Sequence, residues 1–587
     1  MKSERLPWWR QAPINRRNHA WEAAQQCDAL GEWWHGAVIY QLMPRSFFDT
    51  DGDGRGDLAG VMRKLDYLEA LGIDALWLTP IYPSGGDDLG YDVTDLCGVA
   101  PDIGTLEQVK DLVRLAHQRG IRLMLDMVWN HTSSKHPWFV ESSSSRDNPR
   151  ADWYVWADPA PDGGPPNNWR SVFDGGSGWR WCEARGQYYW AAFFGSQPDL
   201  NWHDPEVRAE ILEVARFWLD LGIDGLRLDA VNFYAYDPEL KDNPPRLPGD
   251  PKPDGIHPEH EAASQWLTHS FNRPETLEYL EPLRALVDTY HGVALLGEIT
   301  LCEDSVKSAA EYTRDGELHL AYHDGLLFEE RMSADRICGL VARTLELFGD
   351  SGSCWVVGNH DFGRLSSRWG GLEEPYPERF HTSVVALLLS LPGATCIWQG
   401  DELGLPEAQI PSDIPYDRVL DPAKNVKFGN VRDGSRTPIP WDASAPHAGF
   451  TRAGRAWLPV PQSHRPYAVS EQSTDPDSML AGWRTLLHWR KSQPAMRAGR
   501  TEMLSVSGPW LALVRSYAEQ QLLCLFNLGD EDAELGLENA VERLDLVPGL
   551  GFEARQTGPR SVWVPAWGAA IAEISAYHGA TRATCER

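Results

Sequence analysis

One local pattern, met three times, limits what this chain can fold into. It reads "LDYLEALGIDALWLTP" at 65–80, "LVRLAHQRGIRLMLDMV" at 112–128 and "ARFWLDLGIDGLRLD" at 215–229. Each time an amphipathic helix stops at a glycine and a short apolar strand follows at once. Gly72, Gly120 and Gly222 stand where a helix C-terminus takes a left-handed residue. The third helix has a clear start, with Asp204 as N-cap and Pro205 at the first helical position. Its apolar residues Val207, Ile211, Val214 and Trp218 follow the spacing of one buried face. Helices alternating with strands imply parallel strands joined by helical crossovers. Further strands are expected at 37–41, 293–298, 319–324, 353–358 and 395–398, which brings the count to eight. The expected fold class is α/β, a (β/α)8 TIM barrel, with its active site at the C-terminal strand ends. A doubly wound open sheet is the alternative.

A chain of 587 residues exceeds one small core. The barrel is assigned to 31–130 and 201–495. Residues 131–200, rich in Trp, Asn, Gly and Pro ("WADPAPDGGPPNNW"), are too long for an ordinary loop. They read as an inserted subdomain B after the third strand, over the barrel mouth. A Pro-rich loop at 241–260 follows the fourth strand. From about 500 the pattern changes to short alternating strands, so 500–577 reads as a C-terminal antiparallel β domain, sandwich-like. Residues 1–30 form an N-terminal extension.

The formal net charge of −30 argues against nucleic acid and anionic membrane as partners. No run of 18 apolar residues exists, and the N-terminus lacks the apolar stretch of a signal peptide. Nine cysteines, an odd number without a C-x-x-C, suggest neither a disulfide framework nor a zinc site. A cytoplasmic protein is expected, and nothing in the sequence fixes an oligomeric state. The 27 tryptophans could wall a carbohydrate site or fill the core, and composition does not choose between these.

The chemistry begins at "GLRLDAVN", 225–232, where Arg227 and Asp229 interrupt an apolar strand two residues apart. Residues at i and i+2 of a strand share a face. A buried ion pair is the bland account, although such pairs are costly to desolvate. The alternative is a site that needs an ionised carboxylate. Other strands end alike: "LLGE" at Glu298, "VVGNHD" at Asn359, His360 and Asp361, and "MLDMVWNH" at Asp126, Asn130 and His131. One such ending is a strand leaving the core. Three acids and two histidines at one barrel rim point to catalysis. Glycoside hydrolysis uses such a set: one carboxylate attacks the anomeric carbon and a second carboxyl protonates the leaving oxygen. Arg227 would orient Asp229 and keep it charged. The apolar run leading to Glu298 suits a carboxyl held protonated. Asp361 could hold sugar hydroxyls and stabilise the oxocarbenium-like state.

A second signal is "DTDGDGRGD", 49–57. Oxygen ligands fall at alternate positions: Asp49, Asp51, Asp53, the carbonyl of Arg55, and Asp57. Glycines between them permit tight turns, as in an EF-hand-like loop. A structural Ca²⁺ or Mg²⁺ is expected, and no organic cofactor.

Together these segments resemble glycoside hydrolase family 13, the α-amylase family, and within it the bacterial α-glucosidases and oligo-1,6-glucosidases. The resemblance spans roughly 31–577 through "VIYQLMPRSFFDTDGDGRGDL", "DDLGYDV", "LDMVWNHTS", "QPDLN", "GLRLDAVN", "GE", "GNHD", "WQGDELG" and "RDGSRTP". It implies Asp229 as nucleophile, Glu298 as acid/base and Asp361 as transition-state stabiliser. It implies that Asp88, Tyr91, His131, Arg227, His360 and Arg432 line the terminal glucose subsite. Tyr91 would stack on the sugar, and Asp88 with Arg432 would close the pocket; Arg436 competes for the Arg432 role. It also implies the metal in the 49–57 loop. In this family Val after the nucleophile goes with α-1,6 enzymes, and Ala or Thr with α-1,4 enzymes. Ala230 therefore favours α-1,4 links in short substrates such as maltose, with glucosyl transfer as a further expected activity. A glucosyltransferase, an isomerase or an oligo-1,6-glucosidase on the same fold is the alternative. A catalytically dead binding subunit is disfavoured, because all three acids are present. Met43, Trp129, Leu226, Gly98 and Trp398 depart from the family pattern.

Overall fold

The computed structural model describes residues 32–256, 259–314, 316–327, 333–369, 378–410, 432–504, 506, 508–537, 541–575 and 584–586. The predicted N-terminal extension, 1–30, lies outside them. The three predicted glycines all adopt positive φ, at 96° for Gly72, 71° for Gly120 and 94° for Gly222. Helix Pro205–Asp220 starts as expected, with the Asp204 side chain accepting from the Glu206 N–H. Its four predicted apolar positions are buried.

Eight parallel strands form the central sheet: β1 (Val38–Leu42), β2 (Ala75–Leu78), β3 (Arg122–Met127), β4 (Gly225–Leu228), β5 (Ala294–Ile299), β6 (Leu320–His323), β7 (Cys354–Val356) and β8 (Ala394–Trp398). Their order is β7-β8-β1-β2-β3-β4-β5-β6. The last strand thus pairs with the first, and a parallel bridge from Ala321 to Ser353 joins β6 to β7. The result is a nearly closed barrel, and the open-sheet alternative falls.

Period-2 alternation sorts each strand between two cores. Ile39, Trp77, Met124, Leu296 and Cys396 share the core inside the barrel. Val38, Leu76, Leu125, Leu228 and Leu295 belong to the large core that contains the crossover helices. Gly225 occupies an inward step where a Cβ would come within 2.6 Å of Met124 Cγ, so only glycine fits there. One inward step further along, the lining turns polar: Met124 gives way to Asp126, Gly225 to Arg227 and Leu296 to Glu298.

Within 131–200 lies a three-stranded antiparallel sheet, Trp156–Ala157, Gln187–Trp190 and Trp179–Cys182. Its core includes Trp169, Trp179, Trp190 and Phe193, and it also takes Phe233, Leu267 and Phe271 from the stretch after β4. The insertion therefore packs on that stretch beside the barrel mouth. The C-terminal region forms a five-stranded and a four-stranded antiparallel sheet around a core with Leu523, Leu535 and Val562. Strand Thr584–Glu586 of the smaller sheet lies past the predicted end at 577. Among the described residues, no helix is long and apolar enough to cross a membrane. The cysteines found there, Cys97 and Cys302 among them, are free.

Candidate active site

Arg227 is the hub. It is a register partner of Asp126 on the adjacent strand and is fully buried. Its Nη1 donates to Asp126 Oδ1 and to Asp229 Oδ1, both at 2.6 Å. Its Nη2 donates to Glu298 Oε2 at 2.5 Å and to the Tyr322 hydroxyl at 2.6 Å. The guanidinium lies over the Trp77 ring at 4.9 Å. One cation thus serves three carboxyl groups from the ends of β3, β4 and β5. This modifies the expectation that Arg227 simply keeps Asp229 charged. Burial drives the Asp229 carboxyl well above the usual carboxylate range, Arg227 pulls it down, and Glu298 and Asp126 push it up again. Burial likewise raises Asp126 to about 6 against the pull of Arg227. Such a cluster favours holding a proton over leaving negative charge uncompensated in a buried site.

Asp229 and Ala230 follow β4 directly. Ala230 takes a left-handed backbone, φ 43° and ψ 44°, and its N–H donates to Glu298 Oε2 at 3.0 Å. A non-glycine residue in this region marks a conformation held by its surroundings. Glu298 lies within β5 and Asp361 five residues beyond β7. Asp88, Tyr91, His131, Asp229, Ala230, Glu298, His360, Asp361 and Arg432 all line one pocket. Arg227 lies in contact with two of these acids and with Asp126.

At another wall Arg432 donates from Nη1 to Asp361 Oδ1 and from Nη2 to Asp88 Oδ1, both at 2.8 Å. Arg436 also reaches Asp361 Oδ1, at 2.9 Å, and its Nε donates to the His360 carbonyl at 2.5 Å. The two arginines are thereby told apart: Arg432 lines the pocket and joins Asp361 to Asp88, whereas Arg436 braces Asp361 and the His360 backbone.

Both pocket histidines are neutral near pH 7, pushed down by burial to about 4 for His131 and about 3 for His360. Gln41 Nε2 donates to His360 Nδ1 at 3.0 Å, which leaves Nε2 to carry the proton. The His360 ring stacks on Tyr91 at 4.9 Å, and the Tyr91 hydroxyl donates to Asp126 Oδ2 at 2.9 Å.

Four pocket residues escaped the sequence reading: Phe173, Phe193, Gln197 and Thr300. The first three come from the irregular 131–200 insertion, where spacing does not tell which side chains face the barrel mouth. Gln197 stands in the "QPDLN" motif and donates to Asp88 Oδ2 at 3.0 Å, so the motif was the available signal. The aromatic lining is Tyr91, Phe173 and Phe193 rather than tryptophan. Trp77, Trp129, Trp169 and Trp190 are instead among the largest fully buried side chains. The departing residues Met43 and Trp398 pack with Phe450 and Trp457 in a small separate cluster.

In the 49–57 loop, Asp49, Asp51 and Asp57 bring carboxylate oxygens within 4.8 Å of one another. Asp53 stands apart from that group, and its Oδ1 accepts from the Arg55 N–H at 2.7 Å. Asp57 also caps helix Leu58–Arg63 by accepting from the Gly60 N–H. A cluster of hard carboxylate oxygens on glycine turns suits a hard divalent cation. The residues that fit it here are Asp49, Asp51 and Asp57.

A family model described as "Alpha amylase, catalytic domain" matches residues 41–499. A probable alpha-glucosidase of Rhizobium meliloti is 42% identical over 93% of this chain and 97% of its own length. An oligo-1,6-glucosidase of Parageobacillus thermoglucosidasius is 34% identical over 85% of this chain and 91% of its own. Among solved structures, an alpha-glucosyl transfer enzyme superposes with a TM-score of 0.87 at 43% identity, covering 92% of this chain and 99% of that one. An isomaltulose synthase mutant of Erwinia rhapontici gives 0.79 at 30% identity, over 94% and 100%. A barrel with acids at the ends of its fourth, fifth and seventh strands, matched in sequence and in structure over nearly its whole length, places this chain in the α-amylase family, glycoside hydrolase family 13.

Proposed function

We propose that the protein is a retaining, exo-acting α-glucosidase that releases α-glucose from the non-reducing end of short α-1,4-linked gluco-oligosaccharides such as maltose. The observation that carries this reading is the Arg432 clamp. By tying Asp361 to Asp88 it walls off one side of the pocket with hydrogen-bonding groups. A wall of that kind suits one terminal sugar and leaves no path for a chain to run through.

Asp229 and Glu298 accept from the two terminal nitrogens of one planar guanidinium. A fork keeps its acceptors close. This supports the carboxyl separation of about 5–5.5 Å used in retention over the about 6.5–9.5 Å used in inversion. Asp229 then attacks the anomeric carbon while Glu298 protonates the leaving oxygen. The double displacement needs the cluster's proton on Glu298 and the charge on Asp229. Water, activated by the now ionised Glu298, releases α-glucose. Asp361, held by two arginines, would meet sugar hydroxyls as positive charge develops on the ring. The neutral His360, with its proton on Nε2, would donate to a sugar oxygen.

Ala230 supports the α-1,4 preference, because it is a small side chain on the pocket wall beside the two acids. Transfer of glucose to a second sugar belongs to the same proposal, and the similarity to an alpha-glucosyl transfer enzyme favours it. A structural Ca²⁺ or Mg²⁺ held by Asp49, Asp51 and Asp57 completes the reading. Proton NMR with equal maltose and isomaltose tests it from the first seconds. Early α-glucose from maltose is expected. Early β-glucose would remove the covalent role of Asp229, and two untouched sugars would remove the substrate assignment.

A further inference from the structure

The three residues that follow the acid/base strand are held unusually tightly. Thr300 lines the pocket, and its Oγ1 lies 2.6 Å from Asp324 Oδ2, a carboxylate just beyond β6. The same Oδ2 accepts from the Leu301 N–H at 3.3 Å. Leu301 is wholly buried and has a left-handed φ of 57°, a conformation that its own side chain disfavours. From the other side Asn232, three residues past Asp229, donates from Nδ2 to the Thr300 carbonyl at 2.7 Å. Asn272 donates to the Leu301 carbonyl at 2.9 Å.

The Pro-rich loop after β4 is seated on this segment. The Asp254 N–H donates to the Cys302 carbonyl at 2.8 Å. A Cβ on Gly255 would fall 2.0 Å from Asp324 Oδ2 and 2.9 Å from Thr300 Oγ1. The loop backbone therefore lies directly against the Thr300–Asp324 pair, and only glycine allows that approach.

We infer that Asp324 is a positioning residue that sets how the aglycone half of the pocket hydrogen-bonds, acting through Thr300. The inference rests on the α-glucosidase reading above. The acid/base must touch the leaving oxygen, and Thr300 lines the same pocket two residues beyond it, so the proposal assigns the Thr300 hydroxyl to the leaving-group side. A carboxylate can only accept, so the Thr300 hydroxyl spends its single proton on Asp324. Thr300 then meets the departing or incoming sugar as an acceptor alone. It pairs with a sugar O–H and disfavours a group that can only accept. Asp324 also pins Leu301 and leaves room for Gly255, so it holds the wall in register with the Pro-rich loop.

The test compares two donors in the intact enzyme. α-Glucosyl fluoride carries no second sugar and reports glucosyl transfer to Asp229 alone. Maltose adds the aglycone. The readout is the ratio of kcat/KM for maltose to kcat/KM for the fluoride. In Thr300→Val and in Asp324→Leu, which removes the acceptor, this ratio is expected to fall by about tenfold, the scale of one positioned hydrogen bond. Fluoride turnover should fall less than maltose turnover in both, and Thr300→Ser and Asp324→Asn, which keep the hydroxyl and its acceptor, should keep the wild-type ratio. An unchanged ratio in Thr300→Val and Asp324→Leu overturns the inference. So does a parallel loss on both donors, which would mark a merely structural role. A wild-type enzyme that cleaves neither donor sinks the underlying α-glucosidase reading instead, a result distinct from normal fluoride turnover with an unshifted ratio.

Discussion

Arg227 Nη1 lies 2.6 Å from Asp229 Oδ1, two residues along the same chain, and the same nitrogen lies equally close to Asp126. The predicted nucleophile is therefore oriented by a cation it does not own. Orientation survives that sharing, because each acceptor takes a different direction of a rigid planar fork. Full ionisation of the cluster does not. Asp229→Asn should keep the shape and one hydrogen bond to Arg227 while removing the attacking oxygen's charge. Turnover of maltose is expected to fall by on the order of 10⁴-fold, with an unchanged circular dichroism spectrum. Near-native turnover in that variant would exclude Asp229 as nucleophile.

Arg432 offers a sharper test of exo-action than any acid. In Arg432→Ala, Asp361 keeps Arg436 and Asp88 keeps Gln197, so both carboxylates stay partly satisfied. The clamp between them is lost. Losing one member of a buried charged pair costs about 2–5 kcal/mol, so kcat/KM for maltose should fall at least thirtyfold or so. The deficit should shrink for longer oligosaccharides, which no longer meet a closed end. Equal losses for maltose and maltopentaose would argue that Arg432 holds Asp361 without limiting chain length.

What was legible in the sequence, and what was not, divides along a physical line. The barrel and its acids could be read because they depend on short periods: helix, glycine, strand, and a polar residue at the strand end. Arg227 and Asp229 share a face by the period of a strand. That Asp126 faces the same guanidinium depends on register between β3 and β4, which no local spacing reveals. Phe173, Phe193 and Gln197 reach the pocket from an irregular insertion, where side-chain direction follows no period. In the metal loop the alternate spacing names five ligand positions, and the carboxylates of Asp49, Asp51 and Asp57 are the ones that turns and register bring closest together.

Ala230 links backbone conformation to linkage choice. At φ 43° a β-branched side chain is strained, so Ala230→Val should lower stability by about 1–2 kcal/mol. It should also shift the maltose to isomaltose ratio of kcat/KM toward isomaltose. Ala230→Gly should relax the backbone and leave more room, and so keep maltose preferred. An unchanged ratio in the Val variant would separate the strain from the specificity and discard the size argument.

For the 49–57 loop, calorimetric unfolding with EDTA and with excess Ca²⁺ gives a direct answer. A site filled at about 100 times its Kd stabilises by about 2.7 kcal/mol, which appears as a higher Tm. Asp51→Asn should abolish that difference, because Asp51 belongs to the close carboxylate group and is itself exposed. Equal Tm values in EDTA and Ca²⁺ would mean that the loop is held by its own turns, such as the Gly52 and Gly54 N–H groups on Asp49.

Asp199 carries the last prediction. It is buried, accepts from the Ala192 N–H at 3.0 Å, and bridges by backbone to His131 in the pocket. Burial lifts its carboxyl to about 8, and its hydrogen bonds recover only part of that rise. A group raised in the folded state gives stability that is complete below its unfolded value, near 3.9, and lost as pH climbs through the folded value. Asp199→Asn has no such proton to lose. Its Tm relative to wild type should therefore climb steadily from pH 5 to about pH 8 and then level off. A flat difference across that range would mean that Asp199 is already ionised at pH 5, which would require its hydrogen bonds to outweigh its burial.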